Sequence, residues 1–358
     1  MLSSSSTDTF LSLVRLGIGH HSSVLPESID WSKMESMAAR HGLSAILMDG
    51  VEKLPETQRP PKEMLLQWIG EVLQNYEQRY ELYCRTIAEL AGWYNAHGFK
   101  MMVLKGYACS LDWTKPEHRP CGDIDIWQFG QQEEADSELT EKKEIKIDNS
   151  HHHHTVFYWG DFMVENHYDF VNVHARQSSK TLEPIFKELG KDDSHFVEVY
   201  GKKVYLPSPN LHALFLLRHM VSHFVGANVT LRQVLDWAFF VEKHTKDIDW
   251  DWFVNVVEKY HMKDFFNCIN AICVEDLDFP VEIFKNVQFE PNLKGRILND
   301  ILSPEFMTEE PRNLLKRLMY KYRRWQGNAW KQELCYNESV WSAFWMGIWS
   351  KILKPASL

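Results

Sequence analysis

Two aspartates separated by one residue stand in an apolar run of the sequence. Asp123 and Asp125 alternate with Ile124 and Ile126, directly after Gly122. Because alternate residues of a β-strand point to the same face, we expect the carboxylates on one face and the isoleucines in the core. Adjacent carboxylates repel each other unless a cation lies between them, and oxygen ligands suit Mg²⁺ or Mn²⁺. The pattern predicts a divalent-cation site, although an ordinary surface strand end has the same spacing.

Three further features of the middle of the chain indicate phosphate chemistry. Glu165 lies on a later predicted strand, where a third carboxylate facing the aspartates would complete a cage for two divalent ions. Lys105-Gly106 ends an earlier β run, where glycine lets the backbone approach a phosphate and the following helix offers its N-terminus. Arg119 precedes the aspartate strand, and a guanidinium can bind phosphate through two parallel hydrogen bonds.

The elements that would position these groups form an α+β pattern. The predicted regions are a helical one over 1–97, a sheet-forming one over 98–205 and a helical one over 206–358. Gly160-Asp161 predicts a hairpin turn between strands at 153–159 and 162–168. The polar segment 130–149 predicts a solvated helix and a loop. Residues 280–308 are predicted to be irregular or only briefly helical.

Composition and charge restrict the classes of protein. The chain has 358 residues and a formal net charge of -10, which argues against non-specific nucleic-acid binding by the whole surface. The Ser-rich start has no basic region before an apolar run, and no stretch reaches the length of a membrane-spanning helix. Six scattered cysteines with no C-x-x-C motif indicate reduced thiols. These features predict a cytoplasmic location.

Three motifs together resemble one family. They are Val103-Leu104-Lys105-Gly106, Arg119-Pro120-Cys121-Gly122-Asp123-Ile124-Asp125-Ile126 and Val164-Glu165-Asn166-His167-Tyr168. They resemble the uncharacterised bacterial nucleotidyltransferases of the polymerase-β-like superfamily, whose pattern is L-K-G, then R-x-x-G-D-I-D, then V-E-x-H. The resemblance covers roughly residues 30–260. It implies a small mixed β-sheet nucleotidyltransferase core flanked by helical segments.

The same resemblance implies a reaction and a set of site residues. The catalytic and metal-binding set is Asp123, Asp125 and Glu165, with Mg²⁺ or Mn²⁺ as cofactor. The nucleotide-binding set is Lys105, Gly106, Arg119 and Gly122. The reaction would move a nucleoside monophosphate from a nucleoside triphosphate to an unknown acceptor. The alternative is a catalytically silent nucleotide-sensing or interaction protein that retains the fold. The wider superfamily has Gly-Ser in place of Lys105-Gly106-Tyr107 and a shorter gap to the aspartates, which leaves the triphosphate contact open.

Several histidines adjoin these motifs. His167 follows Glu165 on the same face and is either a partner of the site or a buried histidine bonded to the backbone. The segment Asn172-Val173-His174 is a rival for the third strand, although Asn172 is a poorer metal ligand than Glu165. The run His151–His154 could bind a transition metal, but successive strand residues alternate faces, so at most two could share a site. A solvated strand start is favoured for this run.

The C-terminal region supplies candidates for the substrate cleft and for a partner surface. His219 and His223, one helical turn apart, and Arg232 and Asp236, also one turn apart, are predicted to line the cleft. A basic segment at 312–331 would suit a nucleic acid or another anionic partner. Its basic residues are Arg312, Lys316, Arg317, Lys321, Arg323, Arg324 and Lys331. Beyond it, Trp341, Trp345 and Trp349 form a stripe that favours packing against the protein over a membrane-surface helix.

Overall fold

The computed structural model describes residues 4–21, 25–304 and 313–339, together with residues 341, 345 and 346. The helices in these residues are α1 (Ser4–Ile18), α2 (Trp31–His41), α3 (Ser44–Glu52), α4 (Lys62–Val72), α5 (Gln78–Ala96), α6 (Tyr107–Ser110), α7 (Gln132–Lys143), α8 (Gln177–Leu189), α9 (Pro209–Gly226), α10 (Leu231–His244), α11 (Trp250–Lys259), α12 (Lys263–Glu275), α13 (Pro291–Leu302), α14 (Leu314–Gly327) and α15 (Ala329–Cys335). A π-helical turn over Leu73–Glu77 joins α4 to α5. None of the described helices is both long and apolar enough to cross a membrane.

The strands form one six-stranded mixed sheet. They are β1 (Met102–Val103), β2 (Ile124–Trp127), β3 (His154–Trp159), β4 (Phe162–His167), β5 (Phe196–Val199) and β6 (Lys202–Tyr205). Their order across the sheet is β3-β4-β2-β1-β6-β5. The β2–β4 and β1–β6 pairs are parallel, and the others are antiparallel. The mixed α+β architecture predicted from the sequence is therefore present.

The hairpin predicted at Gly160-Asp161 is confirmed. Trp159 pairs with Phe162 across the turn, and His154 pairs with His167 at the far end of the hairpin. A second hairpin, β5–β6, was not predicted. Its turn residues Tyr200 and Gly201 have φ of 48° and 70°. Such angles suit a two-residue hairpin turn, but the flanking strands are polar and short, and their apolar alternation is weak.

The chain divides into two compact units. One contains Met1–Ile69, Leu217–Thr245 and Asp249–Val340, and the other contains Gly70–Leu216, Lys246–Ile248 and Trp341–Leu358. The second unit holds the whole sheet, together with α5, α6, α7 and α8. It is the unit that carries the carboxylates and phosphate-binding candidates of the middle segment.

One face of the sheet packs on α5 and α7. Ile124, Ile126 and Val164 are buried in a core that includes Tyr83 and Ile87 of α5. Because side chains alternate along each strand, this burial directs the residues between them to the opposite face. Asp123, Asp125 and Glu165 therefore lie on the face that α5 does not cover.

Helix α7 is held to the sheet by a buried carboxylate, which corrects the prediction of a fully solvated helix. Asp136 accepts hydrogen bonds from Thr155 Oγ1 (2.6 Å) and from Asn166 Nδ2 (2.8 Å). Ala135 and Leu139 of the same helix are buried in the core. The sequence of α7 is mostly charged, and Ala135 and Leu139 are its only apolar residues, four positions apart on one side of the helix. So narrow an apolar stripe is not a clear sequence signal for a packed helix.

The other unit is helical in its described residues. Its packing includes Trp237, whose ring stacks near Phe253 (6.1 Å between centroids) and whose Nε1 donates to Asn270 Oδ1 (2.8 Å). Helix α13 corrects the irregular prediction for 280–308. Glu290 caps this helix by accepting from the backbone N–H groups of Asn292 and Leu293, directly before Pro291 at its first turn.

Candidate metal and nucleotide site

The carboxylates come from neighbouring parallel strands. Asp125 of β2 is the register partner of Glu165 of β4, and Trp127 is the partner of His167. Paired residues of adjacent strands point to the same side of the sheet, so Asp125, Glu165 and His167 face one another. Asn172 instead lies in the loop after β4, where its Oδ1 accepts from the backbone N–H groups of His174 and Ala175.

Asp125 is the buried centre of this group, with only 1% of its side chain exposed. The Lys105 ammonium lies 2.9 Å from Asp125 Oδ1, and His167 Nε2 lies 3.2 Å from the same oxygen. Burial acts to raise the pKa of Asp125, but Lys105 and then His167 outweigh it and hold the pKa well below its usual range. Asp125 is therefore a carboxylate at neutral pH.

The second oxygen of Asp125 has a different environment. Oδ2 is buried and accepts no hydrogen bond from the residues that the structure describes. A buried, ionised oxygen without a donor is unfavourable by roughly 1–3 kcal/mol or more. A cation at this oxygen would remove that penalty.

Glu165 lies farther from basic side chains than Asp125 does. Its Oε2 lies 3.8 Å from His167 Nε2, and its Oε1 lies 3.8 Å from His154 Nε2. Burial, followed by the negative charge of Asp125, raises the pKa of Glu165 to about 8. Lys105 opposes this rise without cancelling it. A divalent cation would compete with a proton for Glu165 below this pH.

The donor set fits a divalent cation. Single ligand atoms of Asp125, Glu165 and His167 all lie within 4.8 Å of one another. Asp123 is outside this trio and 37% exposed, with Oδ2 4.0 Å from Lys105 Nζ. Carboxylate oxygens from Asp125 and Glu165, with Asp123 at the edge, are the ligand type that Mg²⁺ or Mn²⁺ takes.

The backbone between β1 and α6 requires a glycine at position 106. Gly106 has a φ of 60° and a ψ of -99°, and an added Cβ would lie 2.5 Å from Tyr83 Oη. Tyr83 Oη donates to the backbone carbonyl of Asp123 (2.8 Å), which fixes the start of β2. The helix that follows, α6, has four residues, so it does not supply the extended N-terminus expected from the sequence.

Replacing Gly106 by Ala should therefore destabilise the fold. The positive φ and the clash with Tyr83 together predict a loss of about 2–4 kcal/mol in the free energy of unfolding, measured by urea denaturation. Gly122→Ala is the matched control, because Gly122 is exposed and an added Cβ would meet nothing within 4 Å. Equal stability of the two variants would contradict this interpretation.

The remaining nucleotide-binding candidates differ in accessibility. Arg119 is only 5% exposed, and its Nη1 donates to the Pro120 carbonyl (3.3 Å). Contact with a phosphate would require its guanidinium to turn outward. Gly122 lies at an exposed position beside Asp123, where a ligand can approach the backbone. Lys105 has 19% of its side chain exposed and is the cation nearest to the carboxylates among the residues described.

The four cleft candidates of the C-terminal region belong to the other compact unit. His219 and His223 lie on α9 with ring centroids 4.4 Å apart, and Arg232 and Asp236 lie one turn apart on α10. Asp236 is buried, whereas His219, His223 and Arg232 are half-buried. The structure thus brings together the residues of the middle segment and places these four in a separate helical group.

The basic segment at 312–331 is less continuous than predicted. Lys331 is buried and pairs with Asp300 (2.6 Å), so its charge does not belong to an exposed basic surface. Lys316, Arg317 and Arg323 are exposed. Arg312 and Trp349 lie outside the described residues. Trp341 and Trp345 are 61% and 57% exposed, so the expected packing of the stripe is wrong for these two.

Tyr83 was not identified from the sequence, and His154 was named only as part of the His151–His154 run. Tyr83, which anchors Asp123, is separated from it by 40 residues and has no local signal. His154 does have a signal, because counting back from the Gly160-Asp161 turn pairs it with His167, two residues beyond Glu165.

A cavity of about 830 Å³ lies on the α7 side and is lined by Asp136 and Thr155, away from the predicted site residues.

Comparison with known protein families gives a match over most of the chain. A family model described as "uncharacterised nucleotidyltransferase" matches residues 27–277, which is more than half of the chain and includes Lys105, the aspartates and Glu165. No curated protein matches significantly, and no solved structure does. The chain therefore belongs to this nucleotidyltransferase family.

Proposed function

We propose that this protein is a metal-dependent nucleotidyltransferase, which moves a nucleoside monophosphate from a nucleoside triphosphate to an acceptor. The observation that carries the proposal is Asp125. It is buried, ionised and adjacent to Glu165, and its Oδ2 lacks a donor among the described residues. A family member whose carboxylates converge in this way has retained the groups that a metal-dependent transferase needs.

Asp125, Glu165 and Asp123 would hold Mg²⁺ or Mn²⁺. The bound ion would neutralise charge on the triphosphate and on the leaving pyrophosphate. The protein's own part is to keep Asp125 charged and to fix the positions of the ligands. Tyr83 holds the backbone of Asp123, and β4 holds Glu165 opposite Asp125.

Lys105 would act on the nucleotide phosphates. Burial acts to lower the pKa of its ammonium, but Asp125, Asp123 and Glu165 raise it above its ordinary value. Lys105 therefore remains positively charged across the physiological pH range. Its Nζ spans the two aspartates, at 2.9 Å from Asp125 and 4.0 Å from Asp123. A triphosphate that arrives with a divalent cation would offer this ammonium a new anionic partner.

Titration calorimetry with non-hydrolysable analogues of the four nucleoside triphosphates tests this function. We expect at least one analogue to bind in Mg²⁺ and to lose its affinity when the metal is chelated. Lys105→Met should weaken the same binding by about tenfold or more, because it removes one charge-assisted phosphate contact. Binding that is indifferent to Mg²⁺, or no binding of any triphosphate, would contradict the proposal.

A further inference from the structure

Three histidines converge at the end of the β3–β4 hairpin that is opposite its turn. The strand register pairs His154 with His167, and His153 directly precedes β3. One ring nitrogen from each histidine lies within 4.8 Å of those of the other two. The His154 ring centroid is 4.3 Å from that of His153 and 5.2 Å from that of His167. The bend before β3 thus lets two successive histidines contribute to one cluster.

Ring nitrogens of His153 and His154 are buried without hydrogen-bond partners among the described residues. His154 is 6% exposed, and neither of its ring nitrogens has a hydrogen-bond partner among the described residues. The same holds for His153 Nδ1. Leaving such groups unsatisfied is unfavourable by roughly 1–3 kcal/mol each. A neutral imidazole has one ring nitrogen with a lone pair that can bind a metal ion.

The backbone around the cluster is fixed. The His153 carbonyl accepts from the backbone N–H groups of Tyr168 (3.0 Å) and Asp169 (3.1 Å). His167 Nδ1 lies 3.2 Å from the Asp169 carbonyl. With a metal ion bound, a proton on Nδ1 would donate to that carbonyl, and Nε2 would bind the ion in place of its present contact with Asp125 Oδ1 (3.2 Å).

We propose that His153, His154 and His167 bind one Zn²⁺-class cation, with water or another small ligand in the fourth position. Imidazole nitrogens select zinc and related transition metals over Mg²⁺. Ligand atoms about 2.0–2.1 Å from a tetrahedral ion are roughly 3.3 Å apart. One nitrogen of each histidine already lies within 4.8 Å of those of the other two, so a small inward movement brings the three nitrogens to this spacing.

This site is distinct from the Mg²⁺ site proposed above, whose ligands are Asp125, Glu165 and Asp123, although His167 lies beside both. His153 and His154 have no part in nucleotide binding under the proposed function. Binding of a transition metal by the histidines therefore holds or fails separately from nucleotidyl transfer.

Titration of metal-stripped protein carrying no affinity tag with Co²⁺ tests the proposal. We expect one Co²⁺ per chain, with the visible absorption of tetrahedral coordination, displaced stoichiometrically by Zn²⁺. His153→Gln and His154→Gln should each weaken binding by about 100-fold or more, since each removes one of the three histidine ligands. His153→Gln alone suffices if the more buried His154 variant fails to fold.

His152→Gln is the matched control for this titration. It lies in the same run and is also buried, but its ring stands against His174 (4.6 Å between centroids). Its Co²⁺ affinity should stay within about threefold of the wild-type value. The proposal is overturned if the protein gives no tetrahedral Co²⁺ spectrum. It is equally overturned if His152→Gln weakens binding as much as His153→Gln.

Discussion

Replacing Asp125 by Asn is expected to lower the affinity for an Mg²⁺–triphosphate complex by at least about 100-fold. The substitution removes a buried carboxylate that is ionised across the physiological range and whose Oδ2 has no donor among the described residues. A lost ion–carboxylate interaction of about 3 kcal/mol corresponds to this factor. Calorimetric titration of the bound triphosphate analogue, with and without Mg²⁺, measures the change directly.

The same substitution should also lower stability, and a control must separate the two effects. A neutral amide in place of the Asp125 carboxylate would leave the Lys105 ammonium, 19% exposed, without its closest charged partner, at a loss of about 3 kcal/mol. Asp136→Asn is the matched control, because Asp136 is buried in the same unit but bonds to Thr155 and Asn166 on the α7 side. It should destabilise the protein and leave nucleotide affinity intact. If Asp125→Asn and Asp136→Asn lowered the nucleotide affinity equally, the effect of Asp125→Asn would be explained by its loss of stability alone.

The affinity for Mg²⁺ should rise steeply with pH because of Glu165. Burial and the charge of Asp125 raise the pKa of this carboxyl to about 8, so below that pH a metal ion must displace its proton. One displaced proton predicts about a tenfold gain in apparent affinity between pH 6 and pH 7, with a plateau above the pKa. Calorimetry in buffers of different ionisation enthalpy would report close to one proton released per metal bound at about pH 6.5.

In the metal-free protein, the free energy of unfolding changes with pH in the opposite direction to the Mg²⁺ affinity. The pKa of Glu165 is raised on folding, so between its ordinary value and about 8 the native state binds more protons than the unfolded state. Stability therefore falls as pH rises through this window, by up to about 1.4 kcal/mol per pH unit. Saturating Mg²⁺ should oppose the fall. Glu165→Gln should flatten the pH dependence of both the Mg²⁺ affinity and the free energy of unfolding. If this variant kept the wild-type profiles, another titratable group would be responsible for them.

The layout of the strands could be predicted because it depends on local signals. Alternation places Ile124 and Ile126 in the core and the aspartates opposite, and Gly160-Asp161 marks the β3–β4 turn. The pairing of Asp125 with Glu165 joins strands that are far apart in the sequence. It was reached through resemblance to a family, since nothing in the local pattern specifies a parallel β2–β4 register.

The electrostatics of the site could not be read from the sequence. Lys105 was assigned to phosphate, but in the structure its ammonium contacts Asp125. Arg119 was expected at the entrance and is buried against the Pro120 carbonyl. Both outcomes depend on which side chains are withdrawn from water, and that is decided by tertiary packing. A solvated strand start was favoured for the histidine run, whereas His152 and His154 are buried.

Transfer of label from nucleoside triphosphates tests the central claim most directly. The protein is incubated with cell extract, Mg²⁺ and each triphosphate labelled at either the α- or the γ-phosphate. Nucleotidyl transfer predicts a macromolecule or metabolite labelled from the α-phosphate and not from the γ-phosphate, with pyrophosphate released and with no labelling by the Asp125→Asn protein. Labelling from the γ-phosphate, or Mg²⁺-dependent nucleotide binding with no α-labelled product for any triphosphate, would contradict the account, and the latter would favour the catalytically silent alternative.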